Sequence, residues 1–433
     1  MTAPLLQKSP LLDAGLAQIA LKSSEPLPQW LLHLKANAAQ HIREYGMPHP
    51  KEEAWRFAPL ATLLDVAFEP ASQRQPAPSL PSSVLSLSRA LSVEPIVMFN
   101  GRLVDRTHSS MPDLPEVLAF HLGRNVSTAA PFAALNTAMF SDVLWLKLSG
   151  TDATSRVLYV VHTSQGGNTP QMAYDRVMIT AEPNSHWTVI EHFVGLSTSE
   201  HATFCSNAVS EVVLGPHAEV EHVRIYEGAS QDMMLLNVAV RQEHQSRYVS
   251  RSFSLSGALR REDVHVVLAD PHSECDLEGV YVIDNADFSG HYTAITHAGT
   301  HTRSKQHYRG VLGAKSQGVF DGTIVIARDA QDSHAHQENR NVLLSTDATI
   351  HTKPQLQIDA DNVKCSHGAT VGHLDDAQLF YLRSRGVGVR DAKTMLLLAF
   401  LESLVKTVDH LPLQGMLVEC VRRHLPAELA GAL

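Results

Sequence analysis

The sequence contains one short motif whose residue types and spacing could bind a metal, Cys365-Ser366-His367. Cys365 and His367 stand two positions apart, so an extended segment would point both side chains to one side. A thiolate and an imidazole are soft-to-borderline donors that suit iron or zinc. Because two ligands do not hold a metal tightly, the spacing predicts a half-site that a second chain completes. A buried cysteine beside a hydrogen-bonded histidine is the alternative that these residues leave open.

Histidine is frequent in the chain, with 25 residues beside only four cysteines. His334 and His336 would place both rings on one face of a strand, which is ligand-like geometry. His297 and His301 are four apart, but Gly299 between them and the β context remove the helical face that this spacing needs. We expect most histidines to be polar residues on strand surfaces and turns, including His265, His272, His291 and His307.

Several classes of protein are excluded by what the sequence lacks. It has no G-x-x-x-x-G-K-[ST] phosphate loop, no G-x-G-x-x-G after a strand and no G-x-S-x-G nucleophile elbow. The formal charge of −10 without a basic run argues against nucleic acid and anionic membranes as main partners. The cysteines are widely spaced and form no CxxC, which argues against a zinc ribbon or a disulfide framework.

Targeting and membrane-spanning signals are also missing. The first residues lack the basic and apolar regions of a secretory signal. The longest apolar run, 395–401, is far shorter than the ~20 residues that cross a bilayer. We therefore expect a reduced, cytoplasmic protein.

Hydrophobic periodicity predicts the elements that must position these residues. A helix is expected over 28–45, helical or mixed structure over 53–68 and a Pro/Ser/Gln-rich linker over 70–83. Asn100-Gly101 after an apolar run indicates a hairpin with a type I′ turn. Helical periodicity returns over 376–385, 390–410 and 416–424.

Between these helical regions the chain has short strand patterns and no long helix. On pattern alone, a β-solenoid and a double-sheet sandwich are equally favoured, because either would cover the sheet edges. The predicted strands are 157–162, 176–180, 187–193, 218–226, 235–240, 248–255, 264–268, 279–283, 291–295, 318–326 and 348–358.

The segments around the Cys-Ser-His motif resemble the SufB/SufD family of the Suf iron–sulfur cluster assembly system. The resemblance covers about 51–400 and includes a long ungapped motif whose Gly368-Ala-Thr-Val-Gly372 continuation is similar to SufD rather than SufB. The matching segments are Glu53-Ala-Trp-Arg-Phe57, Gln306-His-Tyr-Arg-Gly-Val-Leu312, Gly318-Val-Phe-Asp-Gly-Thr-Ile324, Lys364-Cys-Ser-His-Gly-Ala-Thr-Val-Gly372 and Leu379-Phe-Tyr-Leu-Arg-Ser-Arg-Gly386.

This resemblance implies a mainly β protein with a right-handed parallel β-helix core between helical domains. It divides the chain into an N-terminal helical domain and linker (1–83), a β-helix core (84–374, with first strands over 95–150 and coils over 157–374) and a C-terminal helical domain (375–433).

It further implies a non-catalytic scaffold that joins SufB through the β-helix edge and the ATPase SufC through the C-terminal helices. His367 and Cys365 would lie at the SufB interface, where they would transiently hold metal in a nascent Fe–S cluster, and this chain alone would bind no cofactor tightly. The apolar stripe of the longer C-terminal helix would include residues that meet SufC: Leu397, Leu401, Leu404 and Val408.

One segment departs from the family pattern, and two other functions stay open. Ala330-Gln-Asp-Ser333 stands where the family usually has Ala-Gln-Lys-Thr, directly before His334 and His336, whose role is left open. The alternatives are a histidine-rich β-solenoid metalloenzyme that acts alone, and a homodimer that buries the same sheet edge.

Overall fold

A computed structural model describes residues 9–20, 27–71, 79–105, 114–127, 130–150, 156–196 and 203–426. Helices and short strands come first along the chain: α1 Pro10–Ala20, α2 Gln29–Tyr45, a 3-10 helix Glu53–Trp55, α3 Ala61–Leu64, β1 Glu69–Pro70, α4 Ser82–Leu91, β2 Ile96–Phe99, β3 Arg102–Leu103, a 3-10 helix Glu116–Phe120, α5 Pro131–Met139 and β4 Leu144–Leu148.

Long strands and then C-terminal helices follow: β5 Arg156–Ser164, β6 Gln171–Ala181, β7 His186–Gly195, β8 Phe204–Leu214, β9 Glu219–Glu227, β10 Met233–Gln242, β11 Arg247–Ser256, β12 Leu259–Leu268, β13 Glu274–Ile283, β14 Phe288–His297, β15 Arg303–Leu312, β16 Gln317–Ile326, β17 His334–Leu343, β18 Thr349–Ile358, β19 Lys364–Gly372, α6 Asp376–Ser384, α7 Val389–Val405 and α8 Leu411–Arg423.

From β5 onward, successive strands alternate between two sheets. Sheet A has the order β1-β6-β8-β10-β12-β14-β16-β18, with β4 also paired to β6, and sheet B has the order β19-β17-β15-β13-β11-β9-β7-β5-β2-β3. The long strands pair in parallel and in register, as Phe288 does with Gln317. This topology is a parallel β-solenoid, so the prediction of a mainly β solenoid flanked by helices is confirmed and the sandwich alternative is wrong.

The predicted hairpin is confirmed at the start of sheet B. β2 and β3 are antiparallel, with Met98 opposite Leu103. Asn100 and Gly101 connect them with φ values of 47° and 79°. Both values are positive, as a type I′ turn requires.

Strand β8 is among those that the periodicity of the sequence did not predict. Strand β8 contains Ser206, Asn207, Ser210 and Glu211 among its apolar residues, which obscures the usual strand pattern. All four polar residues are buried. The predicted linker lies partly outside the described residues, at 72–78, and its end forms the start of α4.

Helical segments cover the outer faces of both sheets. The Glu53-Ala-Trp-Arg-Phe57 motif lies against sheet A, where the Arg261 guanidinium carbon lies 3.6 Å from the Trp55 ring centroid and Phe57 stacks on His351. Against sheet B, Arg251 donates a 2.6 Å hydrogen bond to the carbonyl of Thr407, just beyond α7. In the described part of the chain, no helix has both the length and the apolar character that crossing a membrane would need.

Candidate functional site

Cys365 and His367 lie on β19, the last strand of sheet B. Within the described chain β19 pairs only with β17, where Cys365 is opposite Ala335 and His367 is opposite Gln337. Strand β18 is the corresponding last strand of sheet A. The two strands therefore form an open end of the solenoid, with one edge of each sheet unpaired.

Both candidate residues face the inside of the solenoid. Their partners Ala335 and Gln337 are buried, whereas His334 and His336 between and beside them are exposed. Opposed residues in a parallel ladder share a face, so Cys365 and His367 continue the interior column. Because none of the described residues forms a further coil over them, Cys365 is only half-buried and His367 is exposed.

The open end has apolar walls and two unsatisfied polar atoms. Ile358 of β18 and Val371 of β19 are 42% and 47% exposed. Gln337 Oε1, one rung below His367, and Thr352 Oγ1 of β18 are buried without a hydrogen-bond partner. Such atoms cost free energy unless water or another molecule satisfies them. The end therefore has the features of a surface that something else covers.

The Cys365 thiol is not activated by its surroundings within this chain. Burial raises its pKa above the usual value, and the backbone hydrogen bond with Ala335 offsets this only in part. A protonated thiol is a poor ligand and nucleophile. A bound metal ion or a cationic group from another chain would be needed to favour the thiolate.

His334 and His336 lie on the opposite face from Cys365 and His367. They share the outer face of β17, as their spacing predicted, and both are exposed. The His336 ring makes a 2.8 Å hydrogen bond with the Ser366 hydroxyl and an edge contact with His307. Among the described residues, no three His, Cys, Asp or Glu side chains already form a metal site.

Several other histidines do not follow the expectation of surface positions, because they lie inside the solenoid. They are His162, His222, His291 and His297, whereas His192 is buried on the outer face of sheet B, beneath the C-terminal helices. Glu191 connects two of them through 2.9 Å to His162 Nε2 and 2.7 Å to His222 Nε2. Sequence alternation could not identify these residues, since interior positions of this solenoid are often polar.

The buried histidines bonded to Glu191 have opposite pKa shifts. Burial alone lowers the pKa of His162, but its hydrogen bonds to Asp175 and Glu191 outweigh burial and raise the pKa to about 9. Burial lowers the pKa of His222, and its bond to Glu191 compensates only partly. At neutral pH His162 is therefore an imidazolium, whereas neutral His222 donates from Nε2 to Glu191.

The C-terminal stripe is buried within this chain. Leu397, Leu401, Leu404 and Val408 are 0%, 0%, 6% and 1% exposed and belong to one core with residues of sheet B and α8. Their burial leaves them no surface to offer a partner. The exposed large apolar side chains on the described helices of this region are Phe380, Tyr381, Val389, Met395 and Leu411.

Comparison with known proteins matches residues 161–400 to the SufBD core domain of the SUF system for FeS cluster assembly. A SufBD family iron–sulfur cluster assembly protein of Synechocystis sp. is 29% identical over 418 residues, covering 90% of each chain. The SufD protein of Escherichia coli is 27% identical over 431 residues, covering 93% of this chain and 98% of its own. The SufD protein of Bacillus subtilis is 25% identical over 422 residues, covering 90% and 92%.

Proposed function

This chain belongs to the SufBD core family of the Suf system for iron–sulfur cluster assembly, and from that premise we propose that it is a non-ATPase scaffold subunit of a complex with SufB and SufC. In this proposal a cluster forms as cargo at the junction between the open end of the solenoid and SufB. The observation that supports it is the exposure of Cys365 and His367 at an open end of the solenoid, where interior positions reach the surface.

Strand β19 is the better of the two unpaired edges for joining another sheet. Pro354 lies within β18 and lacks a backbone N–H, whereas β19 contains no proline. An unpaired edge offers N–H and C=O groups to another strand. Exposed Val371 and Ile358 would add apolar contact beside it. SufB would join this edge, and a second copy of this chain would meet it when SufB is absent.

The two side chains would supply only part of the cluster's ligands. A cysteine thiolate and an imidazole suit iron, but SufB would have to provide the remaining donors. Because burial raises the pKa of Cys365, an arriving metal ion would favour loss of the thiol proton. Cluster formation would thus depend on the closed interface, which also excludes water from the open end.

The C-terminal helices would receive SufC through their exposed residues rather than the buried stripe. Phe380 and Tyr381 on α6 are 73% and 58% exposed, and α6 buries no residue in this chain. Helix α7 is fastened to sheet B, because Arg309 of β15 donates to the Phe400 carbonyl and the Ser403 hydroxyl. A displacement of these helices by SufC would therefore act on the strands that lead to the open end.

The test is the maturation of Fe–S enzymes in cells whose own copy of this chain is replaced by variants. We expect His367→Ala and Cys365→Ser to keep the complex with SufB and SufC but to lose most maturation. His336→Ala is the matched control, since His336 is also an exposed histidine but lies on the outer face. Unimpaired maturation with His367→Ala, or an equal loss with His336→Ala, would contradict the proposal.

A further inference from the structure

Histidine rings contact one another, edge-on or tilted, along one corner of the solenoid, where the chain passes from strands of sheet A to strands of sheet B. Ring centroids of His217 and His244 are 5.7 Å apart, those of His244 and His272 are 5.9 Å apart, and those of His272 and His301 are 4.9 Å apart. His301 Nε2 also lies 3.6 Å from a carboxylate oxygen of Asp332 on the next turn. The function proposed above does not use this column of imidazoles.

Backbone conformation explains part of this column. His217, His272, His301 and Asp332 have φ values of 58°, 61°, 56° and 58°. Each donates its backbone N–H to a carbonyl of the next turn, as His301 does to Gln331. Asn, Asp and His tolerate this left-handed conformation better than most residues. The conformation does not require imidazoles, because Asn184 occupies the same kind of position on an earlier turn.

We propose that His272, His301 and Asp332 form a labile site for a divalent transition metal, with ferrous iron as the physiological cargo. Two imidazoles and one carboxylate with open positions are a donor set typical of Fe(II). Such donors bind at about 2.0–2.2 Å, so neighbouring donors lie roughly 3 Å apart. The distance between His301 and Asp332 is already close to that value.

The three donors do not yet converge on one point, in keeping with the absence of any preformed three-ligand group among the described residues. His272 and His301 are both exposed turn residues, so their rings can rotate towards Asp332 without disturbing the core. The Asp332 carboxylate accepts a hydrogen bond from the Asn362 side chain through its other oxygen. A site that needs rotation and keeps water ligands would bind and release metal readily.

The charge of the surrounding groove does not oppose a cation. Arg247 pairs with Glu219 and Asp276, and Arg303 lies 3.7 Å from Glu274. The groove beside His272 and His301 continues past His334 to Cys365. Metal bound at this corner would therefore be held next to the open end. That physiological meaning rests on the proposed function, whereas the binding itself does not.

The test is an anaerobic titration of the full chain with Co²⁺, a spectroscopic substitute for Fe²⁺. A Cys365→Ser/His367→Ala background removes any signal from the open end. Three single substitutions are added to this background, and each introduces asparagine, which tolerates the turn conformation: His272→Asn, His301→Asn and Asp332→Asn. We expect each to weaken Co²⁺ binding about tenfold or more, while His217→Asn, the matched turn control, leaves binding unchanged.

Unchanged Co²⁺ affinity in the His301→Asn and His272→Asn chains, or an equal loss in the His217→Asn chain, would overturn this site. The result is separable from the test of the proposed function. If Co²⁺ binds at the corner while His367→Ala cells mature Fe–S enzymes normally, the site stands and the proposed function fails. If His367→Ala abolishes maturation but the corner binds no Co²⁺, the proposed function stands and the metal site at the corner fails.

Discussion

The end coil of the solenoid, with β19, and two inner coils, with β13 and β9, place the same residue types in the same interior columns with opposite outcomes. The column of Cys365 runs through Ala335 and Ser304 to Cys275, because these residues pair in register. The neighbouring column connects His367 to His222 through residues of the intervening strands. Cys275 and His222 are 1% and 0% exposed, whereas Cys365 is half-buried and His367 is exposed.

The difference shows that position along the solenoid, rather than residue type or the face on which a side chain lies, separates enclosed groups from accessible ones. His222 is held by Glu191 and accepts a 2.9 Å hydrogen bond from the Tyr248 hydroxyl. A coil on either side of His222 excludes water and supplies these partners. His367 has a coil on one side only, so its imidazole is available to another chain.

The largest expected difference between the end coil and the inner coils is in thiol reactivity. Burial raises the pKa of Cys275 well above that of a free thiol, and the side chain reacts only when the core opens. With ordinary domain stabilities, such opening is rarer than closure by at least about a thousandfold. We expect native iodoacetamide labelling to modify Cys365 and to spare Cys275, as mass spectrometry of the digest would detect.

Cys365→Ser provides the control for this labelling, because it should remove the modification from the native chain. Labelling of Cys275 at a rate similar to that of Cys365 would show that the two coils are equally covered, contrary to the comparison.

The next largest effect concerns stability. Truncating His222 removes hydrogen-bond partners from the Glu191 carboxylate and the Tyr248 hydroxyl and leaves a cavity. Unsatisfied buried groups and the cavity together cost roughly 3 kcal/mol. We expect His222→Ala to lower the free energy of unfolding in urea by about that amount. Its matched variant in the same column, His367→Ala, should change it by less than about 0.5 kcal/mol. Equal losses of stability in the two variants would contradict the burial of His222 and the exposure of His367.

The third effect, which has at most the size of the second, is a pH dependence that we expect of the covered coils alone. The folded pKa of His162, about 9, is above the unfolded value, so its stabilisation is complete below pH ~6.5 and declines as pH rises through 9. The pKa of His162 is raised from 6.5 to about 9. At about 1.4 kcal/mol for each pKa unit, this shift limits the contribution of His162 to the free energy of unfolding to roughly 3 kcal/mol. We expect the stability advantage of the wild type over His162→Gln to shrink between pH 6 and pH 10.

The quantity to measure is the difference in free energy of unfolding between the wild type and His162→Gln, because another group changes stability with pH in the opposite direction. Burial lowers the pKa of Lys35 to about 7, so Lys35 favours folding as pH rises. That contribution is common to both proteins and cancels. A wild-type advantage that stays constant over this range would show that His162 is not held as an imidazolium, and His367→Ala should leave the wild-type profile unchanged.

Much of the fold was predictable because local signals and topology agree. The Asn100-Gly101 turn, the helices at both ends and most long strands follow from periodicity and turn residues. In strand β11, the sequence did not predict which of the two faces points into the solenoid. Its Ser250, Ser252 and Ser254 point into the solenoid and are buried, whereas Phe253 on the other face packs under the C-terminal helices. Alternation separates the two faces but does not identify the inner one when helices bury both.

By itself, the sequence determined the elements of this protein, the Cys365-Ser-His367 spacing and the family to which they belong, because these depend on residues that are near one another in the chain. Only the tertiary structure decided which histidines are enclosed, that the Leu397–Val408 stripe packs internally, and that the motif reaches the surface at an open end. These properties depend on whether another coil or helix covers a given position. Whether a position is covered depends on residues far away in the chain, so a local sequence pattern does not predict it.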